Sequence, residues 1–486
     1  MTQPAVTITE LDGALGNLAT GGLLALIGVS ADGPLNMPAT FARIADLKTN
    51  FGTGPLVEAA ARAIDIYGQP VCVVRAAEGS PATYSAVDVT GVTGTSVVTV
   101  DASVLPYDSY EVVVTVVTGG TIAAAGIQIT YSLDDGLTTS QPQALGVDDF
   151  FLITDANIKL MFAAGTLIAG DVVTFSSFAG KPDSTTYSAA IDALGQSQIS
   201  WRVCSILGPV TPAAAATIDQ KFVGLQAKHK PRYFCANTAL PDFIAGQSEA
   251  AYLSSMSTAF ADFATTFGTI CAGAVQLPSS VSGRQYKSPV VYAAAPLIAS
   301  VDEDVDVADV NIGKIPGARL SDNNGNPIPG CHDESLYPGL DDARFLTLRT
   351  HVGPEGVYVN RPRIMSATGS DFYLVPHRLI MNLGEDALYQ YLIRRLNQGV
   401  QVNKKTGYIL ESVALEIEAG ATAAMVAVLL AKPMASDAYF KLSRFDNVLS
   451  TKTLTGEARI LPFGYVEYIE TTIGYVNPAL RVLAAA

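Results

Sequence analysis

Four stretches of the chain carry residues that could do chemistry. Cys331-His332-Asp333-Glu334 sets a thiol, an imidazole and two carboxylates in four successive residues, the groups a thiol protease or a metal site would use. No HExxH, CxxC or nucleophile elbow accompanies them, and the other histidines, His229, His351 and His377, lie elsewhere, so no catalytic or metal role is expected. Asp302, Asp304 and Asp306 have the spacing of a calcium loop's first ligands. Val307 stands where that loop needs its turning glycine, and Gly313 where it needs a bidentate Glu, so a solvated loop is expected. Gly28 and Gly33 could open a phosphate-binding turn, yet Pro34 follows instead of Lys and Ser or Thr. Gly180-Lys181-Pro182 lacks the upstream glycine. Cys72, Cys204, Cys235, Cys271 and Cys331 lie far apart. Buried free thiols are the expectation, and the odd count leaves inter-subunit bridging open. The sequence therefore points to no cofactor, no metal and no enzyme.

The elements around these residues alternate. Residues 23–29 are an unbroken apolar run of strand length, suited to burial on both faces. Asp32-Gly33-Pro34 turns the chain, residues 41–51 read as a short helix, and Phe51-Gly52-Thr53-Gly54-Pro55 breaks it again. Pro55 suits a helix's first turn, and Leu56, Ala60, Ala63, Ile64 and Tyr67 follow at helical spacing. Gly68-Gln69-Pro70 closes that helix before a second buried strand at residues 71–74. Residues 187–275 continue in the same way, with helices expected at 187–194, 213–229 and 249–267 and strands at 200–207, 232–236 and 269–275. In the third helix Leu253, Met256, Phe260, Phe263 and Phe267 form one apolar stripe that should pack on the sheet.

The apolar strand ending at Gly28, the Gly33-Pro34 turn, the Phe51-Gly52 break, the following helix and the Val71 to Arg75 strand together resemble the N-terminal core of contractile tail sheath proteins, of bacteriophages and related injection machines. The stretch RFLTLRTHVGPEGVYVNRPRIMS from Arg344, then a helix, then NQGVQVN from Asn397, is again similar to that family. The resemblance implies stacked hexameric rings around an inner tube, and terminal arms that add strands to a sheet in neighbouring subunits.

Composition agrees with such a role. Hydrophobic residues make up 49% of the 486 residues and charged ones 15%, so much of the surface must be weakly polar, as suits burial against copies of itself. A net charge of −15 argues against nucleic acid as a direct partner. Residues 81–185 hold eleven acids against Lys159 and Lys181, whereas residues 385–486 balance ten against ten. An acidic segment belongs in solvent, and a neutral one can pack on neighbours. Met1 to Gly13 has neither a basic start nor an apolar h-region, so no secretory signal is expected. Residues 112–133 are uncharged, but Gly119-Gly120 interrupts them and a hairpin fits better than a membrane span. Residues 419–431 are too short to cross a bilayer and read as a core helix.

The expected architecture is multi-domain α/β. A mostly parallel core (residues 21–80 and 186–344) carries an inserted all-β outer domain (81–185), where Val/Thr-rich runs at 87–100, 110–118, 126–133, 149–154 and 171–178 are split by Gly, Asp and Pro. Residues 126–136 and 162–175 each resemble a β-hairpin common in phage structural proteins. The small, apolar run 288–300 and the acidic 301–309 read as a loop leading out of the core. A linking arm (1–20) precedes the core, and an α+β C-terminal domain (345–486), expected to face the tube, ends in extended strands.

Val6, Thr7, Ile8 and Thr9, with Ile473, Tyr475, Val476, Leu480 and Val482, are the candidate inter-subunit arms. Leu388, Tyr391, Leu392 and Leu396 stripe a C-terminal helix, with Arg395 inside the stripe and Arg394 facing away. Arg394, Arg395, Lys441 and Arg444 are candidates to contact an acidic tube. The function so implied is a sheath subunit that contracts to drive the tube through a bacterial envelope. Its partners would be copies of itself, the inner tube protein, the baseplate and the tail terminator, without membrane insertion. It would act in a virion tail assembled in the host cytoplasm. The alternatives are a cytoplasmic α/β enzyme with a β accessory domain, and the sheath of a bacteriocin or secretion machine.

Overall fold

A computed structural model describes residues 22–242 and 246–474 of the chain. The protein divides into two compact units, the first ending at Val400 and the second beginning at Gln401.

The first unit opens with β1 (Leu23–Gly28), β2 (Ala39–Phe41), α1 (Ile44–Phe51), α2 (Pro55–Tyr67) and β3 (Val71–Arg75). Gly68 ends α2 in the left-handed region, at φ 62°, where its N–H bonds the Ile64 carbonyl. Eleven strands follow: β4 (Thr83–Tyr84), β5 (Asp88–Gly91), β6 (Val98–Val100), β7 (Tyr110–Thr118), β8 (Gly120–Thr121), β9 (Gln128–Ser132), β10 (Gln143–Ala144), β11 (Phe150–Ile153), β12 (Ile158–Phe162), β13 (Thr166–Leu167) and β14 (Val172–Phe178). Alternation then resumes with α3 (Ser184–Gln196), β15 (Trp201–Pro209), α4 (Pro212–Ala227), β16 (Tyr233–Asn237), α5 (Glu249–Ala259) and β17 (Gly268–Cys271). After β18 (Ala274–Pro278) and β19 (Gln285–Pro289) come α6 (Val291–Ser300), β20 (Leu348–Thr350), β21 (Val357–Val359) and α7 (Val375–Leu392).

Six strands build the central sheet in the order β17-β16-β15-β1-β3-β2, all parallel except β2. Strand periodicity sorts its side chains into two layers. Leu24, Leu26, Val71, Val73, Val203 and Leu207 pack on one side with α2 and α6. Ala25, Ile27, Cys72, Val74, Cys204 and Ile206 pack on the other with α3, α4 and Tyr252 of α5. This explains why β1 reads as an uninterrupted apolar run: it is covered on both faces.

Three expectations outside residues 83–178 change. The helix expected over residues 249–267 ends at Ala259, with the Phe260 N–H bonding the Met256 carbonyl. Phe260, Phe263 and Phe267 are nevertheless buried, because a wound turn delivers them to the same layer. Within residues 288–300, expected to lead out of the core, α6 is instead a helix buried at every position from Val291 to Ala299. A helix covered all round has no polar face, so it carries no amphipathic signal. Residues 345–400 belong to the first unit: the Leu346 N–H bonds the Ile270 carbonyl at 3.0 Å, and Phe345, Leu346 and Leu348 join the two core layers.

Residues 83–178 have a core of their own, built from alternate residues such as Val112, Val114, Val116, Ile129, Ile158, Leu160 and Val173. The hairpin read across Gly119-Gly120 is present as the antiparallel β7–β9 pair. A Cβ on Gly119 would lie 2.5 Å from the Leu167 carbonyl oxygen, so only glycine allows that approach. Residues 162–175 are no hairpin: β12 pairs β11 and β6, while β14 pairs β7, β5 and β4. Residues 126–136 supply a single strand, β9.

Candidate assembly site in the C-terminal unit

The groups with possible chemistry are absorbed into packing. Cys331, His332, Asp333 and Glu334 are all buried. His332 Nδ1 lies 3.0 Å from Glu249 Oε2 and Nε2 3.0 Å from Glu334 Oε2. Burial alone would lower the imidazole's pKa, but the bonds to both glutamates push it up to about 9. Asp333 accepts from Ser335 and Thr350, and burial pushes the Cys331 thiol up to about 12. All five cysteines are free and buried, so a bridge between subunits would require the fold to open. In the acidic loop, expected to be solvated, Glu303 is buried and meets Arg202 Nη1 at 2.6 Å. Among the described residues no group of three or more His, Cys, Asp or Glu could hold a metal ion.

The second unit is built on α8 (Glu411–Leu429), β22 (Ala435–Leu442) and β23 (Gly456–Pro462). By length and composition α8 could cross a membrane. It turns Ala414, Ile417, Glu418, Ala421, Met425 and Leu429 inward, the spacing of one helix face. Ala435, Ala438, Phe440 and Leu442 of β22 are likewise buried.

Polar bonds then close one side of the two-stranded sheet. The Phe440 N–H donates to Thr422 Oγ1 at 3.1 Å, and the Leu442 N–H to Glu418 Oε1 at 2.7 Å, so side chains of α8 cap the β22 edge. β23 pairs only with β22 among the described strands, leaving its other edge open. Downstream, apolar residues stand in solvent: Val466 is 78% exposed, Ile469 80% and Ile473 98%.

The basic candidates differ in their surroundings. Arg444 is chelated by two carboxylates: Nε lies 2.6 Å from Glu411 Oε2 and Nη1 2.7 Å from Glu418 Oε1. That bonding holds Glu418 below the usual carboxylate range and raises Arg444. Lys441 Nζ stands 3.9 Å from Glu418 Oε2 with its side chain mostly exposed. In the first unit, Arg394 is exposed. Arg395 donates to Tyr391 Oη at 2.9 Å and stacks on that ring. Of the arm residues only Ile473 is described. Val6, Thr7, Ile8, Thr9, Tyr475, Val476, Leu480 and Val482 lie outside the described residues.

The family described as DUF2586, N-terminal domain, matches residues 3–363. Among solved structures, the sheath complex of an extracellular contractile injection system (PVC, contracted state) superposes with TM-score 0.53 at 10% identity, over 98% of each chain. The helical sheath of the anti-feeding prophage in its contracted state gives 0.50 at 9% identity, over 98% of this chain and 99% of that one. The sheath tail protein of Listeria innocua gives 0.45 at 12% identity, over 91% and 95%. No curated protein matches the chain. The fold is that of contractile sheath proteins.

Proposed function

The chain belongs to the DUF2586 N-terminal domain family and has the fold of contractile sheath proteins, and from this premise we propose that it is a structural subunit of a contractile sheath. Copies polymerise as stacked hexameric rings around an inner tube, and contraction drives that tube through a bacterial envelope. Baseplate and terminator proteins bound the sheath, which forms in the host cytoplasm and works in the virion tail. The extended sheath is a kinetic trap released by the baseplate.

The observation that carries this reading is the asymmetric sheet of the second unit. One edge is capped by Thr422 and Glu418 and the other, on β23, is open. An arm of a neighbouring copy can add its main-chain hydrogen bonds only at the open edge, so the linkage has a direction. Directional, head-to-tail contacts that do not close make helices. Residues 2–12 and 470–484 are the proposed arms, with Ile473 already standing in solvent. Arg394, Arg395 and Lys441 are the proposed tube contacts. Arg444 is the weakest of the four candidates, since its charge is taken up by Glu411 and Glu418.

A second reading keeps the class and changes the machine. The two superpositions of highest TM-score reported above come from an extracellular injection system and an anti-feeding prophage, which favours an injection device beside a phage tail.

Negative-stain microscopy of the purified protein tests the class: striated tubes or hollow polysheaths are expected, and monodisperse small particles would refute it. Deleting residues 1–12 or 472–486 should abolish polymerisation and leave the far-ultraviolet circular dichroism unchanged. Truncated chains that still polymerise would remove the arms from the account.

A further inference from the structure

The joint between residues 83–178 and the parallel sheet is held by charges buried away from water. Arg284, at the end of the turn between β18 and β19, is buried with Glu58 from the first turn of α2 and Asp108 from the segment before β7. Its Nη2 lies 2.6 Å from Asp108 Oδ2 and 3.7 Å from Glu58 Oε1, and Nη1 donates to the Ser109 carbonyl at 3.0 Å. The rings of Tyr110 and Tyr286 flank the guanidinium, with centroids 4.5 and 4.8 Å away. Glu58 otherwise meets a neutral donor, the Ser279 hydroxyl, 2.7 Å from Oε2 and 3.0 Å from Oε1. Lys287 bonded to Glu111 at 2.9 Å and the Gln285 N–H bonded to Asp134 at 3.2 Å cross the same joint.

One guanidinium faces two carboxylates. Were both ionised, a net negative charge would sit in the interior without a partner, an arrangement proteins avoid by keeping a proton. Burial pushes the Asp108 carboxyl up, but Asp108 makes the short charge-assisted bond to Arg284 and also accepts from the Ser109 N–H at 2.8 Å, so it is the ionised member. Glu58 stands farther from the guanidinium, with the neutral Ser279 hydroxyl as its hydrogen-bond donor, and is the member that keeps the proton. Cavities of about 360 and 420 Å³ flank the joint, one lined by Asp108 and Ser109 and the other by Tyr110 and Arg284, so the two sides have room to move.

We propose that Glu58, Asp108 and Arg284 form a proton-linked latch. While it holds one proton the cluster fixes residues 83–178 on the parallel sheet, and losing that proton loosens the joint. Burial, opposed by Arg284, pushes Glu58 from 4.5 up to about 7. A carboxyl raised on folding stabilises below its ordinary value, so the latch is fully held below about 4.5 and is lost as pH rises through about 7. Tyr110 and Tyr286 face the cluster, and burial raises both so that they stay neutral throughout. Lys48 of α1, Arg62 of α2 and Asp155 before β12 act from farther away.

Hydrogen–deuterium exchange on the full chain, corrected for intrinsic rates, reads the latch directly. Peptides covering residues 106–112 and 176–182 should exchange at least about fivefold faster near pH 8 than near pH 6. Glu58→Gln cannot ionise, and should exchange equally at both. Should that variant fail to fold, Ser279→Ala decides the matter. It removes a donor that favours the ionised carboxylate, so the midpoint must move to higher pH. Wild-type exchange independent of pH, or a midpoint unmoved in Ser279→Ala, overturns the proposal. Neither outcome bears on sheath assembly, so the two readings fail separately.

Discussion

His332 has a carboxylate 3.0 Å from each ring nitrogen and is 1% exposed, so at neutral pH it is an imidazolium clamped between Glu249 and Glu334. A histidine raised on folding contributes stability that is complete below its ordinary value of 6.5 and is lost as pH rises through about 9. The expected loss is about 3 kcal/mol, read as a falling urea midpoint across that window. His332→Gln should remove this slope while lowering stability at neutral pH; an unchanged slope would place the titration elsewhere. At this scale the sequence was legible in part. It named the cluster 331–334, but it could not supply Glu249, which lies 83 residues away. Glu303 was misjudged as solvated for the same reason: Arg202 is 101 residues distant.

Strands covered on both faces were easier to read than a helix covered all round. β1, α2 and β3 fall where periodicity and the Gly-Pro breaks put them, because burial on both faces requires an unbroken apolar strand and the cap requires Gly68. In α6 the same burial erased the signal: small apolar residues on every side of a helix look like an apolar loop. The difference has an energetic consequence. Ala294, wholly buried in α6, should not tolerate a larger side chain, and Ala294→Leu is expected to cost about 1–3 kcal/mol in chemical denaturation. A neutral effect would mean that this segment is as loosely packed as a loop. Strand pairing was the least legible feature. Residues 162–175 have the composition of a hairpin, yet β12 and β14 find different partners, since register is set by the whole sheet rather than by the turn between them.

For the whole molecule, the division at residue 400 makes its own prediction. Lys404 and Lys405 are exposed in a turn just beyond it. Limited trypsin digestion should therefore cut there first and yield two fragments that each keep their secondary structure; an earlier cut within residues 83–178 would contradict the division. The charge asymmetry belongs to the same scale. The acidic stretch repels its copies, whereas a neutral segment such as residues 385–486 does not.

By itself the sequence determined the α/β alternation, the all-strand character of most of residues 81–185 and the absence of a recognisable catalytic motif. Each follows from periodicity, turn chemistry and residue type within a short window. The tertiary structure alone decided which charges meet and which sheet edge stays open. Arg284 and Asp108 are 176 residues apart, and Glu58 and Ser279 221. β22 is capped because Thr422 and Glu418 come to lie beside it. Such pairings are made by chain crossings that no local pattern encodes, and burial then makes them matter, because an ion or an N–H removed from water must find its partner wherever the topology brings one.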